Sequence, residues 1–226
     1  MTETIVISVG GSLICPDNID VDFLKKFKEI IIKQIAKGKR FVLITGGGRT
    51  ARNYQAAARE VSDLDDEDLD WIGIHGTRIN AHLFRTIFKA EAEPRIVKNP
   101  EEDFEFNKSI LIGSGWKPGN STDYIAVLLA KKLDVKKVIN LSNIDYVYDR
   151  DPAKYSDAHP FIEMTWEEFR GRFGDEWDPG LNSPFDPVAS READKNGMTV
   201  YIVNGAKLEN LDNILEGKGF VGTTIS

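Results

Sequence analysis

The chain has 226 residues, 41% hydrophobic and 29% charged, with a formal net charge of −7 and a single cysteine. That balance is ordinary for a globular protein of one large domain or two small ones. It excludes a disulfide framework and, by its acidic sign, a general nucleic-acid binder, which needs a basic footprint.

No run reaches the length of a membrane span. Met1-Thr2-Glu3-Thr4 has no basic flank, and the apolar run behind it is too short for a signal peptide. With Cys15 as the lone thiol, the expected compartment is a reducing cytoplasm, with no membrane partner.

Thr4-Ile5-Val6-Ile7-Ser8-Val9 predicts a short buried parallel strand that enters the turn Gly10-Gly11-Ser12. From Val21 to Lys37, Phe23, Leu24, Phe27, Ile30, Ile31 and Ile35 recur with helical period, with Asp20 as N-cap and Gly38 as C-cap. Phe41-Val42-Leu43-Ile44-Thr45 then completes a β-α-β unit and runs into Gly46-Gly47-Gly48-Arg49, with Arg52 just beyond. Glycines permit a sharp turn and close approach to a ligand. A helix starting there presents unpaired N–H groups, and arginine forks suit phosphate oxygens. The loop therefore predicts an anion site, the alternative being a tight turn without chemistry.

Arg52 to about Val61 reads as an alanine-rich helix, and the acidic residues 62–68 as a solvated turn or helix start. Leu69 to Phe88 is amphipathic. Its Asp70, Thr77, Arg78 and Asn80 either line a cleft or lie on the wet face, and His75 reads as structural or surface. A short strand is expected at 94–97 and a charged surface segment at 101–108.

Ser109-Ile110-Leu111-Ile112 is a third buried strand, leading into Gly113-Ser114-Gly115-Trp116-Lys117-Pro118-Gly119-Asn120. Ser121 or Thr122 caps the helix that follows, Tyr124 to Leu133. Residues 136–141 form a fourth strand and 142–152 a polar loop. A capped helix begins at Thr165, and 174–187 reads as a surface loop. Then come a helix at 188–196, a fifth strand at 198–203, a helix at 208–215 and a terminal strand at 222–225.

Strand–helix alternation without repeat or linker predicts one α/β domain, a three-layer α/β/α sandwich around a mainly parallel sheet. In such sheets ligands bind beyond the carboxyl ends of the strands. Loops 10–12, 46–48, 113–119 and 142–152 all leave that edge, and together they predict a site for a phosphate-bearing ligand. Neither a Walker A motif nor a G-x-G-x-x-G fingerprint is present.

Five motifs in this order resemble the amino-acid-kinase superfamily and, within it, the archaeal-type uridylate (UMP) kinases. They are Gly10-Gly11-Ser12; Gly46-Gly47-Gly48-Arg49 with Arg52; Asp70-x-x-Gly73-x-x-x-Thr77-x-x-Asn80; Pro118-Gly119-x-Ser121-Thr122-Asp123; and Asn143-x-Asp145-x-Val147-Tyr148-x-x-Asp151-Pro152. The resemblance implies transfer of the ATP γ-phosphoryl group to UMP, with Mg²⁺ carried by ATP, in a homohexamer built from dimers. It implies acceptor binding by residues of about 1–135 and nucleotide binding by about 136–226.

By the same resemblance Gly11, Ser12, Gly48 and Arg52 contact ATP phosphates, and Ser142, Asn143, Asp145, Tyr148 and Asp151 hold the remainder of ATP. Gly47, Asp70, Thr77, Trp116, Lys117, Pro118, Gly119, Asn120, Ser121 and Thr122 hold UMP. Tyr148 either stacks on a base or packs internally. Arg52, Lys117 and Asp123 are the catalytic candidates. The metal takes no direct protein ligand, with Asp123 or Asp145 assisting through water. Asp123 is otherwise a first-turn carboxylate favoured by the helix dipole.

Three positions depart from the family pattern. Ser8 stands where many superfamily members have lysine, Tyr146 where glycine is usual, and Trp116-Lys117 where smaller or neutral residues occur. Lys117 is the natural cation to fill the gap at Ser8. Kinases of other small acids or phosphates, and a non-catalytic nucleotide- or oxyanion-binding protein, stay open as alternatives.

Overall fold

In chain order the elements are β1 (Thr4–Val9), α1 (Gly11–Ile14), α2 (Val21–Ala36), β2 (Arg40–Thr45), α3 (Gly48–Val61), α4 (Asp66–Ile87), β3 (Ile110–Gly113), α5 (Thr122–Lys132) and β4 (Lys137–Ser142). They continue with β5 (Val147–Tyr148), β6 (Pro160–Phe161), β7 (Glu163–Met164), α6 (Trp166–Phe173), α7 (Pro187–Lys195), β8 (Thr199–Asn204), α8 (Leu208–Leu215) and β9 (Thr223–Ile225). These come from a computed structural model, which describes residues 3–175 and 183–226. Most of the loop expected at 174–187 lies outside the described residues.

The main sheet has seven strands in the order β3-β2-β1-β4-β8-β9-β7. All neighbours pair in parallel except β8 with β9. Period-2 alternation divides the core. Ile5, Ile7 and Val9 point to one face with Phe27, Phe84 and Phe88, and Val6 points to the other with Leu129, Phe169 and Phe185. Strands covered on both faces must be apolar throughout, which is why they read as unbroken hydrophobic runs. Three rings, Phe27, Phe84 and Phe88, interlock at centroid distances of 5.6, 6.4 and 6.3 Å and anchor α2 and the end of α4.

The caps explain where the helices begin. Asp20 accepts from the Phe23 amide at 2.9 Å, Ser121 from Tyr124 at 3.1 Å, and Thr165 forms a reciprocal capping box with Glu168. Asp65 accepts from the Asp68 amide at 2.8 Å, so the acidic stretch is the first turn of α4, its carboxylates facing the positive end of the dipole. Gly38 takes the left-handed conformation, φ +88°, just past the end of α2.

Three features differ from the sequence expectations. The segment 94–97 forms only isolated bridges, Val97 with Gly113 and, just upstream, Ala92 with Ile110, because its Pro94 breaks a ladder. The turn at Gly11 is the start of a one-turn helix, and α3 begins at Gly48 rather than Arg52. The loop after β4 carries the β5–β6 hairpin, whose two-residue strands are too short for a periodic signal. No helix of the described residues is long and apolar enough to cross a membrane.

Candidate active site

Register places the loops. Val9 pairs with both Thr45 and Leu141, so β1, β2 and β4 end level and their loops leave side by side. The Gly46 amide donates to Val9 O at 2.9 Å and the Gly10 amide to Leu141 O at 2.8 Å, which locks the first two turns to the sheet edge. The turns then touch: a Cβ on Gly11 would lie 2.0 Å from the Gly48 nitrogen, and Gly48 itself has φ +62°. Only glycine fits at both positions. The contact sets the starts of α1 and α3 against each other, two groups of free amides at one point.

Beside this contact opens a cleft of about 300 Å³. Gly47, Gly48 and Arg52 form one wall, Asp70 and Thr77 of α4 another, and Lys117, Gly119, Asn120, Ser121 and Thr122 of the β3–α5 loop the third. Ala51, Gly73, Ile74 and Gly115 complete the lining. Gly73 lies one turn from Asp70 and Gly115 sits in the glycine-rich turn, so both had a visible signal. Ala51 and Ile74 are apolar helix residues with none.

Helix α4 holds the walls together. Asp70 Oδ2 accepts from the Gly119 amide at 2.8 Å. Thr77 Oγ1 accepts from the Gly115 amide at 2.8 Å and donates to Ile74 O at 2.7 Å. Asn80 Nδ2 donates to Gly46 O at 2.7 Å and Gly47 O at 3.1 Å. Trp116 and Pro118 share the loop without lining the cleft. The Trp116 carbonyl accepts from Arg78 Nη2 at 3.1 Å, and burial lowers the pKa of that guanidinium. Lys117 Nζ sits 3.8 Å above the Trp116 ring, and Arg52 is exposed without a carboxylate partner among the described residues. Its neighbour Arg49 leans instead toward Asp17, Nε to Oδ1 3.8 Å, outside the cleft.

The remaining candidates lie off the ends of β1 and β4, outside this cleft. Gly11 and Ser12 are at the turn contact. Asp145 accepts from Lys207 Nζ at 2.8 Å and Asn204 Nδ2 at 3.0 Å, and the hydrogen bond from the Lys207 ammonium holds it below the usual carboxylate range. Tyr148 meets Tyr146 edge-on, centroids 6.2 Å apart, and burial raises its phenol. Ser142 Oγ accepts weakly from the Ile144 amide at 3.4 Å, Asp151 Oδ1 accepts from the Ala153 amide at 2.9 Å, and Asn143 is exposed.

Asp123 stands between the two regions. Its Oδ1 accepts from Ser8 Oγ at 2.8 Å and Asn140 Nδ2 at 2.9 Å. Although the residue is partly accessible, burial of its carboxylate pushes the pKa up to about 6, with repulsion from Asp186 adding to the rise and the two neutral donors only partly offsetting it. Asp186 caps α7 through the Ala189 amide at 2.6 Å, and burial raises its pKa too. Among the described residues no three His, Cys, Asp or Glu side chains gather as a metal centre.

A family model described as the amino acid kinase family matches residues 3–204. A uridylate kinase of Thermoplasma volcanium is 39% identical over all of this chain and 98% of its own length. One from Methanothermobacter thermautotrophicus is 35% identical over 98% of each. The crystal structure of uridylate kinase from Archaeoglobus fulgidus superposes with a TM-score of 0.84 at 27% identity, covering 100% of both chains. With its parallel sheet, paired glycine turns and full-length similarity to these proteins, the chain belongs to the amino acid kinase family.

Proposed function

We infer that this chain transfers the γ-phosphoryl group of ATP to the phosphate of UMP, giving UDP and ADP. The observation that carries the inference is the cleft: free helix amides, Arg52 and Lys117 on two walls, and the carboxylate of Asp70 on the third. The amides and cations suit a phosphate. Asp70 spends one oxygen on the Gly119 amide, which leaves the other to accept from a ribose hydroxyl or a base N–H. Relatives named uridylate kinases over the full length support the same acceptor.

The acceptor phosphate is an anion at neutral pH, so the chemistry needs no general base. The barrier is the approach of two anions in line, which positioning and fixed positive charge lower. Gly47, Thr77, Lys117 and the residues from Gly119 to Thr122 hold the acceptor in this reading, with Lys117 reaching its phosphate and Trp116 and Pro118 shaping the loop around it. Gly11, Ser12, Gly48 and Arg52 face the donor phosphates. Ser142, Asn143, Asp145, Tyr148 and Asp151 take the adenosine end. Acceptor binding then falls to about residues 1–135 and ATP binding to about 136–226, with the glycine turns as the seam.

Mg²⁺ would arrive on ATP and screen charge between the phosphates. Asp123 fits a water-mediated contact, since neutral donors alone hold it. Asp145 fits poorly, being paired to Lys207. The protein acts in the cytoplasm as a homo-oligomer, a homohexamer built from dimers. Trp71, 38% exposed, and Ile79, 57% exposed, lie on one stripe of α4 with His75 and His82, an apolar surface suited to a twofold contact.

A coupled ADP-release assay across UMP, CMP, dTMP and small carboxylic acids tests the reaction. UMP is expected to be turned over in preference to the others. Preference for another acceptor would overturn the UMP assignment. Tight ATP and UMP binding without ADP release would make the protein a nucleotide binder only.

A further inference from the structure

Asn80 is fully buried on α4 and does not itself line the cleft. Its Nδ2 bridges two successive carbonyls, Gly46 O at 2.7 Å and Gly47 O at 3.1 Å, while its Oδ1 is buried without a partner among the described residues. A buried amide that leaves its acceptor unmade is held there by its donor bonds. Those bonds fix two peptide planes in succession, the Gly46 carbonyl by Asn80 and the Gly47 carbonyl by Asn80 together with a long contact from the Ala51 amide at 3.4 Å.

In a trans peptide the C=O and the following N–H point in opposite directions, and the described residues contain no cis bond. Drawing the Gly46 and Gly47 carbonyls toward α4 therefore turns the Gly47 and Gly48 amides away from it. Neither amide has a hydrogen-bond partner among the described residues. Glycine resists such rotation less than any other residue, so a Gly-Gly-Gly turn without an external tie would sample flipped peptides. A flipped plane would aim a carbonyl oxygen at the site of an anion.

We propose that Asn80 is a positioning residue for phosphoryl transfer: it holds the Gly46 and Gly47 carbonyls inward so that the Gly47 and Gly48 amides face the phosphates. The role rests on the phosphate reading of the cleft. It is separate from the work of Asp70 and Thr77, which tie down the opposite wall through Gly119 and Gly115.

The test is Asn80→Leu, close in volume and without donors, with Asn80→Ala carrying the same comparison should the first not fold. The parent and the variant are compared for kcat with ATP and UMP, and for affinity toward ATP against adenosine and UMP against uridine. The expected result is a kcat lower by about tenfold or more, short of the roughly hundredfold cost of deleting a preorganised donor because Asn80 acts through the amides it orients. The affinity for ATP and UMP should fall by about tenfold while that for the nucleosides holds. Equal losses for nucleotides and nucleosides would make Asn80 a packing residue and overturn the proposal. So would unchanged affinities with kcat within about threefold of the parent. A parent that binds ATP but shows no UMP-dependent ADP release would sink the reaction assigned above, and the split between ATP and adenosine would still decide the role of Asn80.

Discussion

Asp123 shows how much a single neighbour decides. Burial pushes its pKa up to about 6, and Ser8, with a hydroxyl where a lysine would supply charge, offsets that rise only in part. The folded value lies above the 3.8 of a free carboxyl, so the folded chain binds the proton more tightly than the unfolded one. That contribution is complete below the unfolded value and is lost as pH rises through the folded one. Asp123→Asn is neutral at every pH and escapes the loss. Its melting temperature relative to the parent should rise by about 5–10 °C from about pH 4 to about pH 7. A difference that stays flat across that range would show that Asp123 does not titrate there. Lys117 is the second residue-scale case. Its cation–π contact with Trp116 is worth about 0.5–1 kcal/mol at an exposed position, weak enough to yield to a phosphate. Lys117→Met should lower kcat by about a hundredfold with little change in KM, because charge placed for the transferring group acts in the transition state. A kcat within about threefold of the parent would take Lys117 out of the mechanism.

Among the elements, α4 does most to shape the site, and its packing depends on a glycine. A Cβ on Gly76 would meet Ala51 Cβ at 2.7 Å and Ala51 Cα at 2.9 Å, so α3 and α4 cross almost backbone to backbone. Gly76→Ala sets two effects against each other. Helix propensity favours alanine by about 1 kcal/mol. Overpacking against a rigid neighbour costs about 1–3 kcal/mol, and the clash here is with backbone as well as side chain. The expected outcome is a lower melting temperature and a higher KM for UMP, since Ala51 lines the cleft. A raised melting temperature would mean the helices have room to part. The helix itself was legible from its period, and Asp70, Thr77 and Asn80 stood out as polar residues at turn spacing. Their partners were not legible, because the loops they hold are separated from them by up to 49 residues in sequence. The β5–β6 hairpin was invisible for a different reason: two-residue strands carry no period.

For the whole molecule, the exposed stripe of α4 bears on assembly. An α4 stripe with Trp71 and Ile79 exposed is larger than a lone surface hydrophobe, and a homo-oligomer would cover it. Light scattering is expected to give a mass several times the 25.3 kDa of one chain, with Ile79→Glu shifting it downward. A monomer in dilute and concentrated samples alike would leave the stripe without this role.

What the amino-acid sequence determined by itself was the layer architecture and the edge that carries the site. Both follow from local properties: unbroken apolar runs make doubly covered strands, helical period makes amphipathic helices, and strand–helix alternation makes a parallel sheet. The glycine turns after β1, β2 and β3 are local too. Tertiary structure alone decided which turns touch, which helix ties them and which acids gain or lose a proton. The Gly11–Gly48 contact, the Asn80 bridge and the Ser8–Asp123–Asn140 cluster all join residues distant in the chain. Their energies depend on separations of a few ångströms and on local dielectric, and neither quantity exists until the sheet has set the register of its strands.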